Sequence, residues 1–166
     1  MDFANGSFLG YVCQRMFGEV DHTGDVNRYI EERGLGPDAL AVSWEAFKKR
    51  LGGSKSSIKS ALMDQKVLAG IGNVYSDEIL FQARVHPQDR VDRLSQRILK
   101  KVYRVMGSVL KKTIRYDADP EQVPKRWLLP YRAKGAKCPR CDKGLNRLTI
   151  RQRSAYVCPN CQRRRS

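Results

Sequence analysis

Four cysteines close to the C-terminus have the spacing of a metal site. They read Cys138-Pro-Arg-Cys141 and Cys158-Pro-Asn-Cys161, with sixteen residues between the pairs. Each C-x-x-C forms one knuckle of a chelate, and two knuckles supply the four thiolates of a tetrahedral zinc centre. Four protein ligands leave no open position for a substrate, so one zinc here is structural rather than catalytic. Disulfides among the same cysteines are the alternative, disfavoured by the paired spacing and by an N-terminus unlike a secretion signal. From Arg132 to Ser166 there are eleven Lys or Arg against one acid, Asp142. A closed metal site in so basic a setting points to a nucleic-acid partner. Cys13, the fifth cysteine, stands in a strand-like run and reads as a buried structural thiol.

A second group of residues suited to chemistry is Gly70-Ile71-Gly72-Asn73. Two glycines permit a tight turn with close backbone approach. Asn73 follows where a helix starts, beside free backbone N–H groups and the positive end of the helix dipole. The backbone at Gly72 and the Asn73 amide would receive a phosphate there. The plainer reading has Asn73 simply capping its helix, and spacing alone leaves both open.

The elements that must hold these groups are mostly helical. Asn5-Gly6 marks a hairpin turn between Phe3-Ala4 and a return strand over Phe8 to Val12, so the first twenty residues read as two strands. A short helix follows from Asp25 to Arg33, with Thr23 as a possible cap and Gly34 as its stop. Gly36-Pro37-Asp38 makes a turn, and Ser43 caps a helix that runs to Leu51. Ser57 caps a helix over Ile58 to Ala69, and the next runs from Val74 to Arg84 before His86-Pro87. The longest is expected from Val91 to Ile114. Its apolar seam is Val91, Leu94, Ile98, Val102, Val105 and Val109, and its outer face carries Arg97, Lys100, Lys101, Arg104, Lys111 and Lys112. A proline-containing linker over 117–130 leads to the cysteine module. The organisation is thus 1–20, a β remnant; 21–130, a helical domain; and 131–166, a four-cysteine zinc finger.

At 166 residues and a formal charge of +15, the chain has room for one ordinary domain or two small ones and favours a polyanionic partner. The charge is uneven. Met1 to Arg50 holds six basic and eight acidic residues, so the basic surface belongs to the last two thirds. No apolar run is long enough for a membrane span, and the cytoplasm, the nucleoid or a nucleus is the expected location.

The stretch Ile58-Lys59-x-Ala-Leu-Met-Asp64-Gln65-Lys-Val-Leu-Ala69-Gly70-Ile-Gly72-Asn73-Val-Tyr75-Ser-Asp77-Glu78 resembles the helix–two-turn–helix of the formamidopyrimidine-DNA glycosylase and endonuclease VIII family. Arg153-Ser-Ala-Tyr-Val-Cys158-Pro-Asn-Cys161-Gln162 resembles the end of that family's zinc finger, and Leu35 to Leu40 its interdomain segment. The resemblance implies a mainly α fold, with a helix–two-turn–helix domain, a C-terminal zinc-binding β-hairpin and a short N-terminal β remnant. It implies that Asn73 clamps the DNA backbone at a lesion and that Arg153, at the hairpin tip, bridges phosphates. Lys59 is a further phosphate contact or, equally, a solvated surface lysine. Gln14-Arg15-Met16-Phe17-Gly18 is similar to the family's duplex-invading loop. Arg15 would face the orphaned base and Phe17 would wedge the stack, unless Phe17 is ordinary core. The implied partner is duplex DNA, damaged or abasic, bound by a monomer.

The family's chemistry uses an N-terminal proline amine followed by glutamate, to form a Schiff base and move protons. Here Asp2 and Phe3 follow Met1. The expectation is therefore the DNA-binding half of a base-excision-repair glycosylase, inactive alone. The alternatives are residual abasic-site lyase activity through a surrogate amine, or a zinc-ribbon adaptor for RNA or protein.

Overall fold

The computed structural model describes residues 2–12 and 20–164, so the expectations for Cys13, Arg15 and Phe17 lie outside the described residues. The described residues form five α-helices: α1 (Val26–Glu32), α2 (Trp44–Leu51), α3 (Ile58–Met63), α4 (Asn73–Ala83) and α5 (Gln96–Arg115). One antiparallel hairpin follows, β1 (Asn146–Ile150) and β2 (Arg153–Val157), in register from Asn146 opposite Val157 to Ile150 opposite Arg153. The chain is mainly α with a C-terminal β-hairpin that bears the four cysteines. It divides into two compact units, one ending at Arg33 and one beginning at Gly34.

In the first unit the Asn5-Gly6 turn forms, with the Asn5 carboxamide oxygen accepting from the Ser7 amide at 3.1 Å. The two expected strands reduce to a single bridge between Asp2 and Phe8. Phe3, Phe8, Tyr11 and Val12 are all exposed, and strands without a covered apolar face do not pair further. Asp25, not Thr23, caps α1, accepting from Arg28 N at 3.1 Å, while Thr23 bonds the Asp25 backbone.

In the second unit Ser43 caps α2 and Ser57 caps α3. Helix α3 stops at Met63, short of the expected Ala69. The Asp64 side chain accepts from Lys66 N, and its carbonyl accepts from Val67 N and Leu68 N, so the chain turns there. Aspartate favours such local bonding over helix continuation. Helix α5 begins later than expected, because Val91–Arg93 is a separate 3₁₀ turn and Ser95 provides the cap. Its buried seam consequently rotates to Leu99, Val102, Met106, Val109, Leu110 and Thr113, with Ile98 and Val105 at the margin.

Two apolar clusters result. The larger joins α2, α3, α4 and α5. The smaller contains Phe81, Leu128, Leu145, Cys138 and Cys158 beneath the cysteine module. Helix α4 contributes to both, through Ile79 and Leu80 to the first and Phe81 to the second.

Candidate nucleic-acid interface

The turn before α4 is built by local braces. Gly70 has φ +96°, which a side chain would strain. Gln65 spans the turn, its carbonyl oxygen accepting from Gly70 N at 3.0 Å and its amide donating to Ile71 O at 3.0 Å. The strand-like segment after Leu35 supports it from behind, with Ala39 N donating to Ala69 O and Ala69 N to Pro37 O, both at 3.0 Å. Gly36 makes that approach possible, since a Cβ there would lie 2.6 Å from the Val67 carbonyl carbon.

Asn73 is the first residue of α4, and the N-cap is Gly72, which offers no side chain to the first-turn amides. Asn73 therefore does not cap its helix. Its Oδ1 is buried and has no hydrogen-bond partner. An orphaned buried acceptor costs about 1–3 kcal/mol, and Oδ1 and Nδ2 exchange places by a flip of the amide.

Lys59 lies at the centre of the arrangement. It is fully buried, and its ammonium donates to the Asp77 carboxylate, to Asn73 O at 3.3 Å and to Ser154 O at 3.3 Å. Burial pulls the Lys59 ammonium below the usual lysine range, against the Asp77 charge that holds the proton on. The second Asp77 oxygen accepts from Arg132 Nη2 at 3.0 Å and from Tyr156 N at 3.2 Å, and Arg132 also stacks over the Tyr156 ring. One ammonium therefore joins the first residue of α4 to the strand that begins with Arg153.

The four cysteine sulfurs lie within 4.8 Å of one another, with Cys138–Cys161 at 3.9 Å and Cys141–Cys158 at 3.5 Å. Zinc–sulfur bonds of about 2.3 Å in a tetrahedron require sulfurs roughly 3.8 Å apart, so the quartet fits one structural zinc. Gln162 fastens the second knuckle, accepting from Cys158 N at 3.1 Å and donating to Val85 O at 2.9 Å. Arg140 fastens the first, donating to Phe81 O at 3.1 Å and to the Gln82 side chain at 3.0 Å while covering the Phe81 ring.

Arg151 and Gln152 form the two-residue hairpin turn, both at positive φ (45° and 61°). Such turns favour Asn-Gly, and a left-handed non-glycine residue costs about 1–2 kcal/mol. Arg153 stands directly after the turn and is exposed.

Glu78, next to Asp77, is also fully buried. Burial raises its pKa to about 7, against hydrogen bonds from Gln82 and the Leu129 backbone that favour the charged form. It holds the linker that leads into the cysteine module.

Residues 34–124 match the formamidopyrimidine-DNA glycosylase H2TH domain, and residues 135–164 match the zinc finger found in FPG and IleRS. The chain belongs to the formamidopyrimidine-DNA glycosylase family. Among curated relatives it is 31% identical to the formamidopyrimidine-DNA glycosylase of Streptococcus pyogenes serotype M6 over 99% of this chain and 65% of that protein. It is also 31% identical to that of Protochlamydia amoebophila, over 98% of this chain and 64% of that protein. The chain thus spans slightly under two thirds of these relatives. Two solved structures are similar over 84% of this chain and 55% of theirs, both at 26% identity. They are Lactococcus lactis Fpg with abasic-site DNA, at TM-score 0.71, and with DNA containing FAPY-dG, at 0.74.

Asn73, Gly72 and Arg153 of this glycosylase-family chain are brought close through Lys59, whereas the zinc ligands lie at the other end of α4, against Phe81. Lys59 departs from both of its readings, since it is neither solvated nor open to a phosphate; burial and three internal acceptors account for its ammonium. Its ammonium is sealed inside, so Lys59 does not favour the surrogate-amine alternative. Sequence reasoning missed Asp77, Glu78, Arg132, Arg140 and Gln162. The available signal was a helix with adjacent acids amid apolar residues and no single apolar stripe.

Proposed function

We propose that this chain is the zinc-containing DNA-binding part of a base-excision-repair glycosylase. It binds duplex DNA, damaged or abasic, through phosphates and acts as a monomer on DNA within the cell. The observation that carries the reading is the Lys59 ammonium shared by Asn73 O and Ser154 O. It makes the α4 N-terminus and the strand bearing Arg153 neighbours. The Asn73 amide, the open first turn of α4 and the Arg153 guanidinium then form one anion-seeking surface. Lys59 serves it by position rather than by contact, and the zinc keeps the hairpin rigid. Arg15 and Phe17 belong to the same reading as the groups that enter the duplex.

The test is fluorescence anisotropy of the zinc-loaded chain on a duplex with one abasic-site analogue and on the matching intact duplex, over a salt series. Affinity should be higher for the abasic duplex and should fall with salt, log K changing by about −0.9 per log unit for each phosphate engaged. Asn73→Ala and Arg153→Ala should each weaken binding about tenfold, in line with charged or buried hydrogen bonds worth about 1.5–3 kcal/mol. Borohydride should trap no adduct. Equal binding by both variants would refute the proposal, and tighter binding to structured RNA would favour the adaptor.

A further inference from the structure

Helix α5 contains seven Lys or Arg and no acid over Gln96–Arg115. The cations Arg97, Lys100, Lys101 and Arg104 border a groove of about 680 Å³, whose floor is Ala83, Val85, Ile98 and Val105. Ala83 and Val85 are buried, whereas the four cations that border the groove are exposed. The exposed cations continue beyond it through Lys111, Lys112 and Arg115, spanning about 27 Å of helix from Arg97. Among the described residues, Arg97 and Arg104 form no ion pair with a carboxylate, and Lys100 lies over the Trp44 ring at 5.8 Å.

The groove is distinct in place from the surface around Asn73. Ala83 and Val85 meet the N-terminal half of α5 there, whereas Gly70 and Tyr75 share a smaller hollow with Leu110, Thr113 and Ile114. The two helices therefore run antiparallel, and the groove lies at the far end of α4, about 15 Å along the helix from Asn73.

We propose that this face of α5 holds a second segment of duplex DNA through its phosphate backbone, so that one chain can bridge two duplex segments. An acid-free row of exposed cations along about 27 Å of one helix suits a long, uniformly charged polyanion such as a phosphate backbone. The inference rests on the DNA-binding reading above in one respect. A chain already held on DNA meets a second segment of the same polymer at high effective concentration.

The test counts duplexes per chain, by analytical ultracentrifugation of the zinc-loaded chain with excess short labelled duplex at low salt. The wild type should take up two duplexes. The variant Arg97→Gln/Lys101→Gln/Arg104→Gln should take up one, with the second affinity reduced at least tenfold and its salt slope shallower by about 0.9 for each phosphate no longer neutralised. These side chains are exposed, and an unchanged helical circular dichroism signal confirms the fold. Asn73→Ala/Arg153→Ala should keep the α5 duplex and lose the other. A triple variant that still binds two duplexes overturns the proposal. So does a polyglutamate peptide of equal charge that displaces the second duplex at lower concentration than unlabelled duplex does. If instead Asn73→Ala/Arg153→Ala changes nothing while the triple variant loses one duplex, the groove stands and the reading of the Asn73 surface fails.

Discussion

Helices α4 and α5 pack side by side and use charge in opposite ways. In α4, seven of eleven residues are buried, including Asp77 and Glu78. Its acids point inward as anchors, one for Lys59, Arg132 and Tyr156, the other for the linker at Leu129. In α5 the apolar seam is narrow and every cation of the outer face remains exposed. The difference shows that charge on α4 decides which modules are held together, whereas charge on α5 decides what can come to the surface. A buried ion loses its solvation, so removing its partner is costly. A surface charge loses little by substitution and acts at long range.

Zinc removal should give the largest effect, because it strips away one of the two modules that α4 joins. Structural zinc in small finger peptides contributes roughly 10–16 kcal/mol to folding. Chelation should disorder 137–162 and reduce affinity for DNA at least a hundredfold. The helical signal of α2 to α5 should persist, as circular dichroism and hydrogen exchange on the same sample would show.

Breaking the inward pairing comes next. Lys59→Ala leaves Asp77 buried with only Arg132 to balance it, and should cost about 3–5 kcal/mol in urea unfolding. The double replacement Lys59→Met/Asp77→Leu should recover part of that loss, because the uncompensated charge is gone.

Glu78 sharpens the contrast through pH. Its folded pKa of about 7 lies above the ordinary carboxyl value of 4.5, so the folded state binds the proton more tightly. The stability this gives is complete below the unfolded pKa and is lost as pH rises through about 7. The loss amounts to as much as about 3 kcal/mol. Unfolding curves at pH 5 and pH 8 should show the fall, and Glu78→Gln should remove it. His86 contributes the opposite slope, since burial lowers its pKa and its neutral form is favoured, so its share is lost as pH falls below the ordinary 6.5. The Glu78→Gln variant isolates one slope from the other.

The outward cations should matter least to the fold. Arg97→Gln or Arg104→Gln in α5 should change stability by no more than about 0.5 kcal/mol. A larger change would mean that α5, too, uses its charge for internal support.

The same contrast explains what was legible from residues alone. Ser43 and Leu51 bound α2 as read, because cap and amphipathic stripe are local signals. The zinc quartet was legible because chelate spacing is a property of the chain itself, and the α5 cations because a seam implies an outer face. The end of α3 was misread because Leu68 is buried but lies in a turn, so a helical spacing of apolar residues continued past the helix. Lys59 was illegible for another reason. Its burial depends on Asp77, eighteen positions on, and on Ser154, ninety-five positions on. No window around a lysine near a helix start contains that information. The α4 anchors share the difficulty, since a helix buried on all sides carries no stripe to show which neighbour each face will meet.

The most direct test of the central claim is a double-mutant cycle of Asn73→Ala and Arg153→Ala on abasic duplex, with affinities measured by anisotropy at one fixed salt concentration. If Lys59 holds the two residues in one frame against adjoining phosphates, their losses should be non-additive by about 0.5–3 kcal/mol. Losses that add within about 0.3 kcal/mol would mean that the α4 turn and the zinc hairpin bind independently, which would contradict the account.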